Sequence, residues 1–183
     1  MRLKIFTNLL YAFLVVAGTI GFSGCSDKEK EEEKPAVTSS NSASATIGTT
    51  NFVSTKMVAS TELLLPGVTI IDLSYINQAG DTLTFGIIEA AKTGDKLTYE
   101  VATDGPEINI EAGYEINYIK VNGTEYIPSN GNKGEMTITL HDKTAKIIKG
   151  TFSGSLTSFD FDDPFNPDKE VVNITNGKFE AKY

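Results

Sequence analysis

Apolar and polar residues alternate with a period of two through most of this chain. Leu83, Phe85 and Ile87 alternate with Thr82, Thr84 and Gly86; Leu97, Tyr99 and Val101 with Lys96, Thr98 and Glu100; Met136, Ile138 and Leu140 with Glu135, Thr137 and Thr139. Successive side chains of a strand point to opposite faces, so the pattern predicts half-buried strands with one packed and one wet face. Turn-forming clusters separate them: Asn77-Gln78-Ala79-Gly80-Asp81, Thr93-Gly94-Asp95, Asp104-Gly105-Pro106, Asn122-Gly123 and Ser129-Asn130-Gly131-Asn132. Asn122-Gly123, between INYIKV and TEYI, is the strongest hairpin signal and predicts a type I′ turn, which needs positive φ at both central residues. The stretch GIIEAAKTG has the composition for one helical turn and no more. The expected fold is all-β, an antiparallel meander of about eight to ten strands forming either a β-sandwich or a closed β-barrel. Alternation does not choose between these two.

The last strands carry a further constraint. In KIIKGTFSGSL, Ile148, Phe152 and Leu156 share one parity, with Gly150 and Gly154 between them. In VVNITNGKFEAKY, Val172 and Ile174 share a parity but Phe179 falls on the other. An inserted residue at Asn176-Gly177, a bulge with the glycine in the left-handed region, returns Phe179 to the inner face. A tight turn there, leaving a very short final strand, is the alternative.

The beginning of the chain reads differently. Arg2 and Lys4 precede an apolar run of about a dozen residues, Leu9 to Ile20, followed by the small residues around Gly24. That order predicts a secretory signal, and the run is shorter than the roughly 20 residues a membrane-spanning helix needs. Phe22-Ser23-Gly24-Cys25 resembles the lipobox of bacterial lipoproteins, with Phe in place of the usual Leu. The resemblance implies cleavage between Gly24 and Cys25 and a diacylglycerol thioether on the cysteine, whose thiolate is a strong nucleophile. Residues 1–24 are thus expected to be a removed signal peptide. Residues 25–46 are expected to be the acylated cysteine and a flexible tether, because its acids, lysines, serines and threonines cannot bury enough apolar area to offset ordering. Residues 47–183 form the expected β-rich domain.

The formal charge is −8, and it becomes −10 once Arg2 and Lys4 are removed. Such a balance excludes nucleic acid as an electrostatic partner, since phosphate binding needs clustered Lys and Arg. One cysteine and one histidine, His141, exclude an intramolecular disulfide framework and the common zinc cages.

Few residues suggest chemistry. Asp160, Asp162, Asp163 and Asp168, with Asn166, gather oxygen ligands of the kind calcium prefers, but without the spacing of an EF-hand; a solvated loop is the simpler reading. No other cofactor or metal is expected. His141 continues the parity of Glu135, Thr137 and Thr139, so it is expected at the surface, where Asp142 could orient it; no nucleophile elbow accompanies it. Glu89, Glu100, Glu107, Glu111 and Glu115 are available as paired carboxylates for a hydrolase, although they occupy outward positions or turns. Tyr114, Tyr118 and Tyr126 would form a platform for sugars or a partner if their face were open, and core if it were closed. No catalytic residue stands out.

Two resemblances complete the reading. IIKGTFSGSL followed by VVNITNGKFEAKY is similar to the closing strands of an uncharacterised family of small Bacteroidetes lipoproteins, a domain of unknown function, and Asp81-Thr82-Leu83 resembles a short O-glycosylation sequon of secreted Bacteroidetes proteins. The family resemblance implies a secreted β-rich domain on a lipid anchor at the outer membrane, and the serine and acids behind Cys25 resemble a signal for export to the cell surface. The expected function is a non-enzymatic binding or assembly module whose partner is a glycan or an envelope protein. An extracytoplasmic hydrolase with convergent carboxylates and a structural coat protein without a small ligand are the alternatives.

Overall fold

The computed structural model describes residues 40–100, 114–129, 131–159 and 169–183. Ten antiparallel strands run through them: β1 (Ser42–Ile47), β2 (Thr50–Leu65), β3 (Val68–Asn77), β4 (Thr82–Ile88), β5 (Lys96–Glu100), β6 (Tyr114–Ile119), β7 (Glu125–Ile127), β8 (Lys133–Asp142), β9 (Ile147–Phe159) and β10 (Val171–Lys182). No helix forms among the described residues, and the segment after β4 makes tight turns instead.

The sheet closes. Its order is β10-β1-β2-β3-β4-β6-β7-β9, and β9 pairs with β10 to complete an eight-stranded barrel. β9 serves three neighbours: β10 along one edge, and along the other β8 up to Gly154 and β7 from Thr157 onward. β8 and β5 thus branch outward from the ring. β5 turns back toward β6, where the rings of Tyr99 and Tyr114 lie 5.6 Å apart.

The alternating parities face inward as expected. Ile71, Leu73, Tyr75, Leu83, Phe85, Ile87, Ile116, Met136, Ile138, Ile148 and Leu156 are buried. Phe85 sits at the centre, 4.8 Å from Phe152, 5.3 Å from Phe179 and 5.9 Å from Tyr75 between ring centroids. An eight-stranded barrel is just wide enough for side chains to fill it, and fully burying each such residue contributes about 1.5–3 kcal/mol.

Three local expectations need correction. The barrel begins at Ser42 rather than Ile47, so residues 42–46 belong to the fold and not to the tether. Ala43 and Ala45 face inward there, and Ala43 pairs directly with Phe179, whose bulk needs a small neighbour. Ser-Ala alternation carries little hydrophobic contrast, which is why it resembles linker. The β6–β7 hairpin forms where expected, but only Gly123 has positive φ (90°). Gly123 N–H donates to Lys120 C=O at 2.9 Å and Lys120 N–H to Thr124 C=O at 2.9 Å, so the connection is a three-residue loop ending in a left-handed glycine, not a type I′ turn. Finally, β10 is continuous through the bulge, and Phe179 is buried with Val172 and Ile174. The left-handed residue there is Asn176 (φ 55°), not Gly177. Gly177 is required for a different reason: a Cβ on it would lie 2.4 Å from the Phe152 carbonyl oxygen.

Candidate functional site

One end of the barrel gathers the β3–β4 turn, the β6–β7 turn and the residue before β10. Tyr118 and Tyr126 point inward from β6 and β7, their rings 5.7 Å apart, and Phe52 packs edge-on against Tyr118 at 6.3 Å. Their hydroxyls reach the rim and find fixed partners. Tyr118 donates to Asp81 Oδ2 at 3.1 Å, and Asp81 also accepts from Val121 N–H at 3.0 Å and Asn77 Nδ2 at 3.0 Å. Lys120 Nζ donates to Tyr126 Oη at 2.6 Å, and Tyr126 donates to Glu170 Oε2 at 2.6 Å. Lys120 Nζ also stands 4.8 Å from the Tyr126 ring centroid and 3.9 Å from Glu170 Oε2.

The electrostatics show what this cluster can do. Burial draws the Asp81 carboxyl upward, but the bonds from Val121, Asn77 and Tyr118 and the nearby Lys120 charge outweigh it and hold the group below its ordinary value. Burial, then the Asp81 charge and hydrogen bond, push the Tyr118 phenol up to about 12. Burial and the bond to Glu170 raise Tyr126 against the pull of Lys120, and the bond to Tyr126 raises Lys120. The phenols therefore stay protonated and the amine stays charged at neutral pH. Such groups are poor bases and nucleophiles; they clamp one end of the barrel by charge-assisted hydrogen bonds.

Tyr114, Tyr118 and Tyr126 lie on the closed face, with relative exposures of 7%, 4% and 0%. They are core, and the open platform does not form. The Tyr114 hydroxyl is buried without a hydrogen-bond partner among the described residues, while Tyr99 donates to Ser155 C=O at 2.8 Å.

His141 is not the free surface histidine that parity suggested. A register shift between Ile138 and Leu140 breaks the alternation, and the ring sits partly buried at the other end of the barrel. Nδ1 lies 2.7 Å from Ala91 C=O, which can only accept, so it carries the proton; Nε2 then accepts from Tyr183 O–H at 2.7 Å when the ring is neutral. Asp142 does not orient the ring, because its Oδ1 accepts from Thr144 and Ala145 N–H in the β8–β9 turn.

Among the glutamates, Glu100 pairs with Lys133 at 2.6 Å and Glu115 bonds Asn117 at 3.2 Å, both exposed. Sequence reasoning missed Asp72, which stands in one cross-strand row with Ser60, Gly86 and Glu115. Burial first, then Glu62 and Glu115, raise its carboxyl. The row lies on the convex outer face, since Ile71 and Leu73 take the inward positions, and only strand register could have revealed it. On another part of the outer face, the β10 bulge borders a shallow depression of about 430 Å³ lined by Ser44, Glu135, Thr151, Ser153 and Lys178. Its one carboxylate, Glu135, is paired with Lys96 at 3.3 Å.

Gly24, Cys25, Glu107, Glu111, Asp160, Asp162, Asp163 and Asp168 lie outside the described residues. Among those described, no three His, Cys, Asp or Glu side chains gather to hold a metal, and no helix is long and apolar enough to cross a membrane. Comparison of the chain with protein-family models, curated proteins and solved structures finds no match in any of the three.

Proposed function

We propose that this chain is a lipid-anchored envelope protein of the outer membrane whose barrel serves as a non-enzymatic binding or assembly module. The observation that carries the anchoring is Phe22-Ser23-Gly24-Cys25, placed after a short apolar run and before a linker rich in acids and lysines. The module reading is supported by the barrel interior, which Phe85, Phe152, Phe179 and Tyr75 fill, so recognition of a glycan or an envelope protein falls to loops and outer faces.

Cell fractionation of a Cys25→Ala variant tests the anchor. The variant is expected to lose the diacylglycerol and its firm attachment to the outer membrane, and the native protein is expected to carry a thioether lipid at position 25 by mass spectrometry. An unmodified sulfur there in the native product overturns the anchoring. Turnover of a glycan by the purified protein would replace the module with a hydrolase.

A further inference from the structure

The β2–β3 hairpin differs from the other connections among the described residues. Leu65 pairs with Val68 across Pro66-Gly67, and Gly67 has φ of 85°, the arrangement of a type II turn. At this tip Leu63, Leu64 and Leu65 are 66%, 51% and 60% exposed and Val68 is 37% exposed. Between Lys56 and Asp72 the only charged residue is Glu62. Soluble domains expose single apolar residues routinely, but three consecutive leucines at a hairpin tip form a contiguous patch.

We infer that this tip is a wedge that seats shallowly in the apolar layer of a zwitterionic lipid bilayer. The inference rests on the lipid-anchor reading. All three leucines are at least half exposed, and they straddle a register shift between Leu63 and Leu65, where the regular alternation of sides is lost. Topology supplies the argument for a membrane. Ser44 pairs with Val53, so β1 begins beside Ser54 and β2 runs on to Leu65 toward the end of the barrel at which the chain arrives. Tip and tether therefore share one end, and the chain from Cys25 to Ser40 reaches at most about 50 Å. Cross-strand pairing continues to Leu65 and Val68 along one edge of β2, and the outer edge of β2 pairs with no described strand beyond Val53, which limits the wedge to the shallow, hydrated boundary of the apolar layer. Charge selects the lipid: Glu62 and Asp72 flank the tip and the chain is acidic, so anionic headgroups repel it.

The test uses the lipidated full-length protein in phosphatidylcholine vesicles. The thioether occupies Cys25, so Leu64→Cys supplies a single thiol for an environment-sensitive fluorophore, and Val121→Cys supplies a control at the opposite end of the barrel. The Leu64 probe is expected to shift to the blue and to be several-fold less quenched by aqueous iodide than the Val121 probe. Adding phosphatidylglycerol is expected to weaken the shift. Leu63→Ser with Leu65→Ser, both exposed, is expected to remove the protection while leaving the melting temperature unchanged. Equal quenching of the two probes on a protein whose Cys25 carries its lipid overturns the wedge. A blue shift that follows protein concentration without vesicles assigns the tip to a second copy of the chain and overturns it too. An unmodified Cys25 overturns the anchor alone, and the position-64 probe in a Cys25→Ser background with excess vesicles then judges the tip, whose continued quenching overturns the wedge.

Discussion

The ring of Tyr99 occupies the space that a side chain on its cross-strand partner Gly134 would need. A Cβ at Gly134 would lie 2.1 Å from Tyr99 Cε1, and Gly134 in turn pairs directly with Gly154, whose Cβ would lie 2.5 Å from the Tyr99 hydroxyl. The aromatic side chain of β5 thus covers a floor of two glycines on β8 and β9. Its hydroxyl bond to Ser155 fixes the ring in place.

Gly134→Ala is therefore expected to destabilise the barrel by about 1–3 kcal/mol, the usual cost of overpacking. Denaturant unfolding measures it. In a Tyr99→Ala background most of that penalty should vanish, because residues in contact couple. An additive double mutant would show that the clash lies elsewhere.

Gly123 tests backbone strain alone. Nothing lies within 4 Å of a Cβ placed there, but φ is 90°. Gly123→Val should lower stability by about 1–2 kcal/mol, since a side chain pays the left-handed penalty, while Gly123→Asn should cost much less. Thermal melts that do not separate the two variants would contradict the loop geometry.

Asp81 laces the β3–β4 turn to the β6–β7 hairpin through bonds from Asn77, Tyr118 and Val121. Asp81→Ala should cost about 1.5–3 kcal/mol, the range for hydrogen bonds to a charged group. Because the folded carboxyl lies below its ordinary value of 3.8, its ionised form contributes stability above that pH and loses it as pH falls through the lowered value. Stability curves of wild type and Asp81→Asn should converge in acid and diverge toward neutral pH.

Alkali should act through the tyrosines. Burial raises Tyr75, Tyr99 and Tyr114 well above 10 and Tyr118 to about 12, so the folded chain keeps protons that the unfolded chain releases. Their contribution is complete below pH 10 and is lost as pH climbs through the raised values. Tyrosinate absorbance and loss of the strand signal in circular dichroism should rise together. Full tyrosine titration near pH 10 with the fold intact would mean that the rings are accessible.

The strands were legible because each obeys a local rule. Leu83-Phe85-Ile87 and Ile148-Phe152-Leu156 declare their inner faces by parity, and the break before Phe179 declares the bulge. Pro66-Gly67 was an equally local turn signal that the alternation of its neighbours did not bring forward. Other features were hidden for identifiable reasons. Ser42–Ile47 lacks hydrophobic contrast, the register shift after Ile138 moves His141 off its parity, and Asp72 meets Glu115 only across β4. Of the candidate site, sequence indicated the residue types, Tyr118 and Tyr126 among them, but not their partners Lys120 and Glu170.

The amino-acid order by itself determined the class of fold and which side of most strands faces inward, because the period of a strand is a property of adjacent residues. Closure into a barrel was decided only in three dimensions, by β10 pairing with both β1 and β9. Hydrogen bonds between strands distant along the chain depend on the accumulated twist and stagger of the whole sheet, and no short stretch of sequence encodes that sum.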